Sequence, residues 1–249
     1  MRTINDICYS EEKDNIRLLD ICLPDTDAKD VFVYFHGGGL GSGSKDVNAP
    51  FIKYLCDNGI GVVTANYRLY PNAKYPDYIE DAAECVSWVV KHIKEYTPAK
   101  RIFIGGSSAG GYLSLMLCFD GRYLEKYGLS PTDFAGYIHN AGQPTTHFSV
   151  LSERGFNSWR AVIDEAAPIY YVGTSEKYAP MLFIVSDNDM NCRYEQTLLT
   201  IATMKQFGKA DGVSLKVING GHCEQDYRNN ADGVNEFGAI ALEYIKSVK

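Results

Sequence analysis

A chain of 249 residues with 45% hydrophobic and 22% charged residues has the make-up of a soluble globular protein, long enough for one large α/β domain. Its net charge of −7, with no run of Lys or Arg, argues against a nucleic-acid or anionic-membrane partner. No run approaches about 18 apolar residues and no apolar leader opens the chain, so the expected location is cytoplasmic. Seven scattered cysteines without Cys-x-x-Cys spacing suit reduced thiols better than a disulfide frame or a zinc site. In chain order, Asn15 to Leu23 alternates apolar and polar residues and predicts a first strand or hairpin, ended by Pro24. Val31 to Phe35 is continuous and β-prone, the pattern of a strand covered on both faces. Residues 46–58 predict a helix closing at Gly59, and Gly61 to Asn66 another buried strand. Pro76 opens a long helix in which Ile79, Ala82, Ala83, Val86, Val89, Val90 and Ile93 share one face. Arg101 to Ile104 is a strand leading into a helix from Tyr112, and Phe134 to Asn140 is a further strand. Residues 141–178 break the rhythm with one short helix expected at Trp159–Ala167. Strands at Met181–Val185 and Val213–Ile218 then alternate with helices at Tyr194–Phe207 and Val234–Val248.

This alternation predicts a single α/β domain over 1–249, with a mostly parallel central sheet of about eight strands and helices on both faces. No linker or repeat interrupts it. The stretch 141–178 is then a cap-like excursion over the strand ends. Its Phe148, Phe156, Trp159, Tyr170 and Tyr171 are expected to border the alcohol side of a binding site.

The segment Gly105-Gly106-Ser107-Ser108-Ala109-Gly110-Gly111 joins a strand directly to a helix with serine at the apex, the pattern of a nucleophile elbow. A residue forced into a strained turn tolerates no bulk two positions away. Centring on Ser108 places Gly106 and Gly110 at those positions, whereas centring on Ser107 places Ala109 at one of them. Ser108 is the better apex.

In a parallel sheet the loops after the strands' carboxyl ends line the crevice, and three more of them carry useful chemistry. His36-Gly37-Gly38-Gly39 can turn bare backbone N–H groups toward a developing oxyanion. It matches neither the Walker pattern, since Gly43 is followed by Ser44 and Lys45, nor the dinucleotide fingerprint. His36 itself is expected to brace that loop. Ser186-Asp187-Asn188-Asp189 supplies carboxylates, and Asn219-Gly220-Gly221-His222 supplies the one histidine on a glycine turn after a late strand. His92 reads as a solvated helix residue, and His139 and His147 show no metal-ligand pairing. The order Ser108, Asp189, His222 is that of the α/β-hydrolase triad.

With these residues the chain resembles the hormone-sensitive-lipase-like branch of the α/β hydrolases, particularly small bacterial carboxylesterases. The likeness runs through His36–Gly39, Asn66-Tyr67-Arg68-Leu69, Tyr75-Pro76 with Glu80-Asp81, Gly106–Gly111 and the Asp and His loops. Ser107 stands where the family most often has Asp. The acid follows a strand-ending small residue by three in the family, which favours Asp189 over Asp187. Because the sequence opens almost directly on its first strand, the N-terminal helical cap of larger members is not expected.

The resemblance implies the α/β-hydrolase fold and a serine esterase without cofactor or metal. Its Ser108–His222–Asp189 relay would work with an oxyanion hole from the N–H groups of Gly37, Gly38 and Ala109. The expected partner is a small ester, with short acyl or carbohydrate-linked groups. An amide-cleaving relative and a non-catalytic receptor on the same fold are the alternatives.

Overall fold

The computed structural model describes residues 1–45 and 49–249. Its strands are β1 (Arg2–Cys8), β2 (Leu18–Leu23), β3 (Asp30–Phe35), β4 (Ile60–Ala65), β5 (Arg101–Ser107), β6 (Gly136–Asn140), β7 (Met181–Ser186) and β8 (Val213–Ile218). They form one sheet in the order β1-β2-β4-β3-β5-β6-β7-β8. The β1/β2 and β2/β4 pairs are antiparallel and every pair from β4 to β8 is parallel. This is an eight-stranded, mostly parallel α/β-hydrolase sheet.

The α-helices are α1 (Pro50–Asp57), α2 (Asp77–His92), α3 (Ala109–Phe119), α4 (Arg122–Glu125), α5 (Phe148–Glu153), α6 (Arg193–Gln206) and α7 (Glu236–Ser247). Alternation along β3 shows why two layers of helix are needed. Val31, Val33 and Phe35 face one core, shared with α2, α3 and Ile201 and Met204 of α6. Phe32 and Tyr34 face the other, with Phe51 and Leu55 of α1 and Phe237 and Ile245 of α7. A strand with both faces covered can be apolar throughout, as its sequence is. The helix α2 buries Ile79, Ala82, Ala83, Val86 and Val89, and it carries acids in its first turn and Lys91 and His92 in its last. Asn235 caps α7 by accepting a hydrogen bond from the N–H of Gly238 at 2.8 Å. Among the described residues no helix is long and apolar enough to cross a membrane.

Two sequence-based expectations need correction. The first strand is not at 15–23 but at Arg2–Cys8, which forms a hairpin with β2. Its Ile4 and Ile7 stand three apart across a break in register, so no two-residue period marks the strand. The Asp14 carboxylate accepts from the N–H groups of Ile16 and Arg17, so the chain turns there and β2 starts only at Leu18.

The helix expected at Trp159–Ala167 is absent, and α5 and a 3-10 turn at Pro168–Tyr171 flank an irregular stretch. There the Asp164 carboxylate accepts from Thr146 Oγ1, Arg154 Nη1 and the N–H of Ala166, while Val162 O accepts from the N–H of Thr146. Such side-chain bonds compete with helical ones. Trp159, 79% exposed, offers no face to bury. The helix expected over 46–58 is α1, and the part at 46–48 lies outside the described residues.

Candidate active site

The strand β5 ends at Ser107 and α3 begins at Ala109, so Ser108 alone makes the turn between them, at φ 55° and ψ −112°. An L-residue adopts such a conformation only under strain. The turn is held from outside, since the N–H of Ser108 donates to Asn140 O at 2.8 Å. The flanking glycines are required by contact. A Cβ on Gly106 would stand 2.5 Å from Phe35 O, and one on Gly110 only 1.9 Å from the same atom. Both clashes are with β3 backbone, which cannot swing aside. Gly110→Ala should therefore destabilise by about 3 kcal/mol or more. A fall in the urea midpoint at unchanged slope would report it, and an unaltered midpoint would mean that β3 can recede.

Ser108 Oγ lies 2.8 Å from His222 Nε2, and His222 Nδ1 lies 2.5 Å from Asp189 Oδ1. The three side chains predicted from the loops after β5, β7 and β8 are thus brought together. His222 remains partly exposed, whereas the Asp189 side chain is fully buried. Burial alone would push the Asp189 carboxyl up, but the hydrogen bond and charge of His222 and the N–H groups of Met190 and Ser186 hold it below the usual range. Asp187 faces elsewhere. Its oxygens accept from Asn219 Nδ2 at 3.1 Å and the N–H of Gly220 at 3.0 Å, tying the acid loop to the histidine loop. Ser186 Oγ adds a bond to Gly221 O at 2.8 Å.

Gly37 abuts the turn, since a Cβ there would come within 3.3 Å of Ser108 Cβ. Gly38 (φ 114°) and Gly39 (φ 62°) adopt conformations that L side chains rarely enter. Gly38 O accepts from the N–H of Ser42 at 3.0 Å and of Gly41 at 3.2 Å, closing the loop on itself. Gly37 and Gly38 line the same cavity as Ser108. Ala109 is fully buried at the first position of α3, where N–H groups have no intrahelical acceptor.

His36 braces this loop as expected. Its Nδ1 lies 2.6 Å from Gly37 O, and its ring stacks on Tyr67, whose hydroxyl donates to His36 O at 2.9 Å. The neighbouring Arg68 forms an ion pair with buried Asp81, so the Asn66–Leu69 and Glu80-Asp81 segments act as supports beneath the loop.

The cavity holds about 410 Å³ and is lined by the glycine loop, Ser107, Ser108 and His222, and by Tyr34, Met190, Cys223, Asp226 and Tyr227. These last five were not singled out from sequence. They come from β3 and from loops after β7 and β8 that meet only in the folded chain. None of the excursion's aromatics is among the lining residues, and Phe156, Trp159 and Tyr170 are exposed. The expected aromatic border is therefore absent from the cavity wall. In the first half of the excursion, Gln143, Thr145, Thr146 and His147 are buried and serve structure. His147 Nδ1 accepts from the N–H of Ser149 at the start of α5. His139 pairs with Ser114 Oγ at 2.8 Å, and burial pushes its imidazole down to about 3.

Burial drives the Asp226 carboxyl up to about 7, against the opposing hydrogen bonds from Ser107 and Asn140. The folded protein thus holds a proton that the unfolded chain releases above pH 4 or so, and stability falls as pH rises toward that raised value. Between pH 5 and pH 8 the loss amounts to about 3 kcal/mol. Asp226→Asn keeps the shape without the charge. Thermal melts at both pH values should show the variant gaining on the parent protein at pH 8, and an equal gain at pH 5 would contradict a buried titrating carboxyl.

The sheet order, the strained serine turn and the loop after β3 together define an α/β hydrolase. A model of the alpha/beta hydrolase fold family matches residues 32–207, and the chain belongs to that family. It is similar to the Carboxylic ester hydrolase LipN of Mycobacterium tuberculosis, 34% identical over 108 residues, which are 42% of this chain and 29% of that protein. It is also similar to the Acetyl esterase of Salmonella schwarzengrund, 32% identical over 94 residues, covering 37% of this chain and 29% of that one. The chain thus spans less than a third of the length of these curated relatives. Among solved structures, esterase B from Lactobacillus rhamnosis superimposes with a TM-score of 0.80 at 16% identity, over 99% of this chain and 85% of that one. At that identity the likeness speaks for the fold.

Proposed function

We propose that this protein is a serine hydrolase of short-chain carboxylic esters. The observation that carries the reading is the unbroken relay from Ser108 Oγ through His222 to buried Asp189, at a cavity sized for a small ligand. His222 Nε2 takes the proton of Ser108 as Oγ attacks the ester carbonyl. Asp189 holds the Nδ1–H tautomer and stabilises the imidazolium. The N–H groups of Gly37, Gly38 and Ala109 receive the negative charge of the tetrahedral intermediate. His222 then protonates the leaving alkoxide, the acyl group stays on Ser108, and water activated by His222 releases it. Apart from the hydrolytic water, the groups named in each step are side chains and backbone of this chain.

Family membership and the names of the curated relatives, a carboxylic ester hydrolase and an acetyl esterase, support the reading. The cavity, about 410 Å³, lies toward the small end of ligand sites and favours acetyl to butyryl groups. Carbohydrate-linked esters lose the support expected from the aromatics of the 141–178 excursion. Rates on p-nitrophenyl esters from C2 to C12 test the proposal, with kcat/KM expected to peak between C2 and C4. A peak at C8 or longer would overturn the short-chain assignment, and no turnover of any ester would overturn the esterase.

A further inference from the structure

Three oxygen-bearing side chains from separate elements meet in the wall of the cavity beside Ser108. Tyr34 comes from β3, Ser107 from the end of β5, and Asp226 from a 3-10 turn at Glu224–Asp226 that follows His222. Ser107 Oγ stands between Tyr34 and Asp226 in this wall and accepts from Asn140 Nδ2 at 2.8 Å. The same Nδ2 donates to Asp226 Oδ1 at 2.7 Å, while Gln225 Nε2 donates to Asn140 Oδ1 at 2.6 Å. The network fixes the carboxyl and the serine hydroxyl in place. Asp226 is only 3% exposed, and no Lys or Arg is among the described residues lining the cavity. The titratable groups that interact with the carboxyl are Tyr34, Cys223 and Tyr227, and His36 and His222 stand elsewhere in the same wall. An alkyl chain laid against this corner would strip water from a carboxyl and a phenol and return no hydrogen bond. An anionic group would face the carboxyl without a counter-charge. A neutral hydroxyl both donates and accepts, which suits a carboxyl and a phenol together.

We infer that Tyr34, Ser107 and Asp226 form a subsite for an aliphatic hydroxyl of the ester, with Asp226 the specificity-determining residue. The inference rests on the esterase reading of the same cavity. Since Ser107 and Ser108 are consecutive, their Cα atoms lie about 3.8 Å apart. The subsite is therefore within a few carbon atoms of the attacked carbonyl, on either the acyl or the alcohol side.

The test compares isosteres on each side. Ethyl 3-hydroxybutyrate is set against ethyl 3-methylbutyrate, and 2-hydroxyethyl butyrate against propyl butyrate, with ethyl butyrate as reference. In one of the two pairs kcat/KM should favour the hydroxyl ester by about tenfold or more, because its methyl counterpart leaves buried polar groups unpaired. That pair identifies which half of the ester occupies the corner. Asp226→Leu, and Tyr34→Phe should the first fail to fold, should bring the ratio to about one. Preference for the methyl isostere in both pairs would overturn the inference, as would a hydroxyl preference that survives both substitutions. Failure of the esterase reading looks different: a folded protein that turns over neither ethyl butyrate nor any of the four other esters.

Discussion

Ser108→Ala should lower kcat by about six orders of magnitude, the scale on which removal of a relay's nucleophile is felt. The expectation follows from geometry on both sides of the residue. Its backbone is held at φ 55° between two glycines whose lack of Cβ lets the turn lie against Phe35 O, and its Oγ is 2.8 Å from His222 Nε2. The adjacent hydroxyl of Ser107 points into the network with Asn140 and Asp226 instead. Alanine fits the space and leaves the turn intact, so the variant should melt close to the parent protein while losing activity. A fluorophosphonate probe should form one adduct, on Ser108, and none in the variant. An adduct on Ser107, or near-normal turnover by Ser108→Ala, would remove the nucleophile assignment.

Asp189→Asn should cost about four orders of magnitude in kcat, because an amide beside Nδ1 no longer enforces the tautomer that leaves Nε2 free to accept a proton. Asp187→Asn is the matched control. It removes a charge two residues away, from a side chain that bonds Asn219 and Gly220 rather than the imidazole. An asparagine oxygen can still accept from the N–H of Gly220, so its loss should stay within about tenfold. Steady-state kinetics on one short-chain ester decide the matter. Equal losses, or a larger loss at Asp187, would mean that the acid of the relay has been misassigned.

What could be read from the sequence was what local chemistry dictates. A strand covered on both faces must be apolar throughout, so β3, β4 and β7 announced themselves. A strained serine turn must be flanked by glycine, so Ser108 did too. The spacing of Asp189 from Ser186 was legible only through family likeness, because an acidic turn has no local mark that separates an orienting carboxylate from a solvated one. The strand β1 was missed because an edge strand with a break in register carries no alternation. The Trp159–Ala167 stretch misled because Asp164, Thr146 and Arg154 decide its path through bonds made across the excursion. Tyr34 and Asp226 were invisible as site residues for the same reason. One looked like a core residue of β3 and the other like a loop acid, and only their meeting around Ser107 gives either a role at the cavity.

The two halves of the relay stand on strands separated by a single strand. Ser108 follows β5, the Asp189 and His222 loops follow β7 and β8, and β6 lies between, paired with both neighbours. Its last residue, Asn140, receives the Ser108 N–H on one side and reaches Asp226 on the other. The spacing between the Ser108 turn and the Asp189 and His222 loops is therefore set by one strand, and the 2.8 Å contact of Ser108 with His222 leaves it little tolerance. A misplacement of about 1 Å can cost a hundredfold in rate. Thinning the packing of β6, at a position such as buried Ile138 away from the cavity wall, would be felt first as a slackened relay and only later as a lost fold.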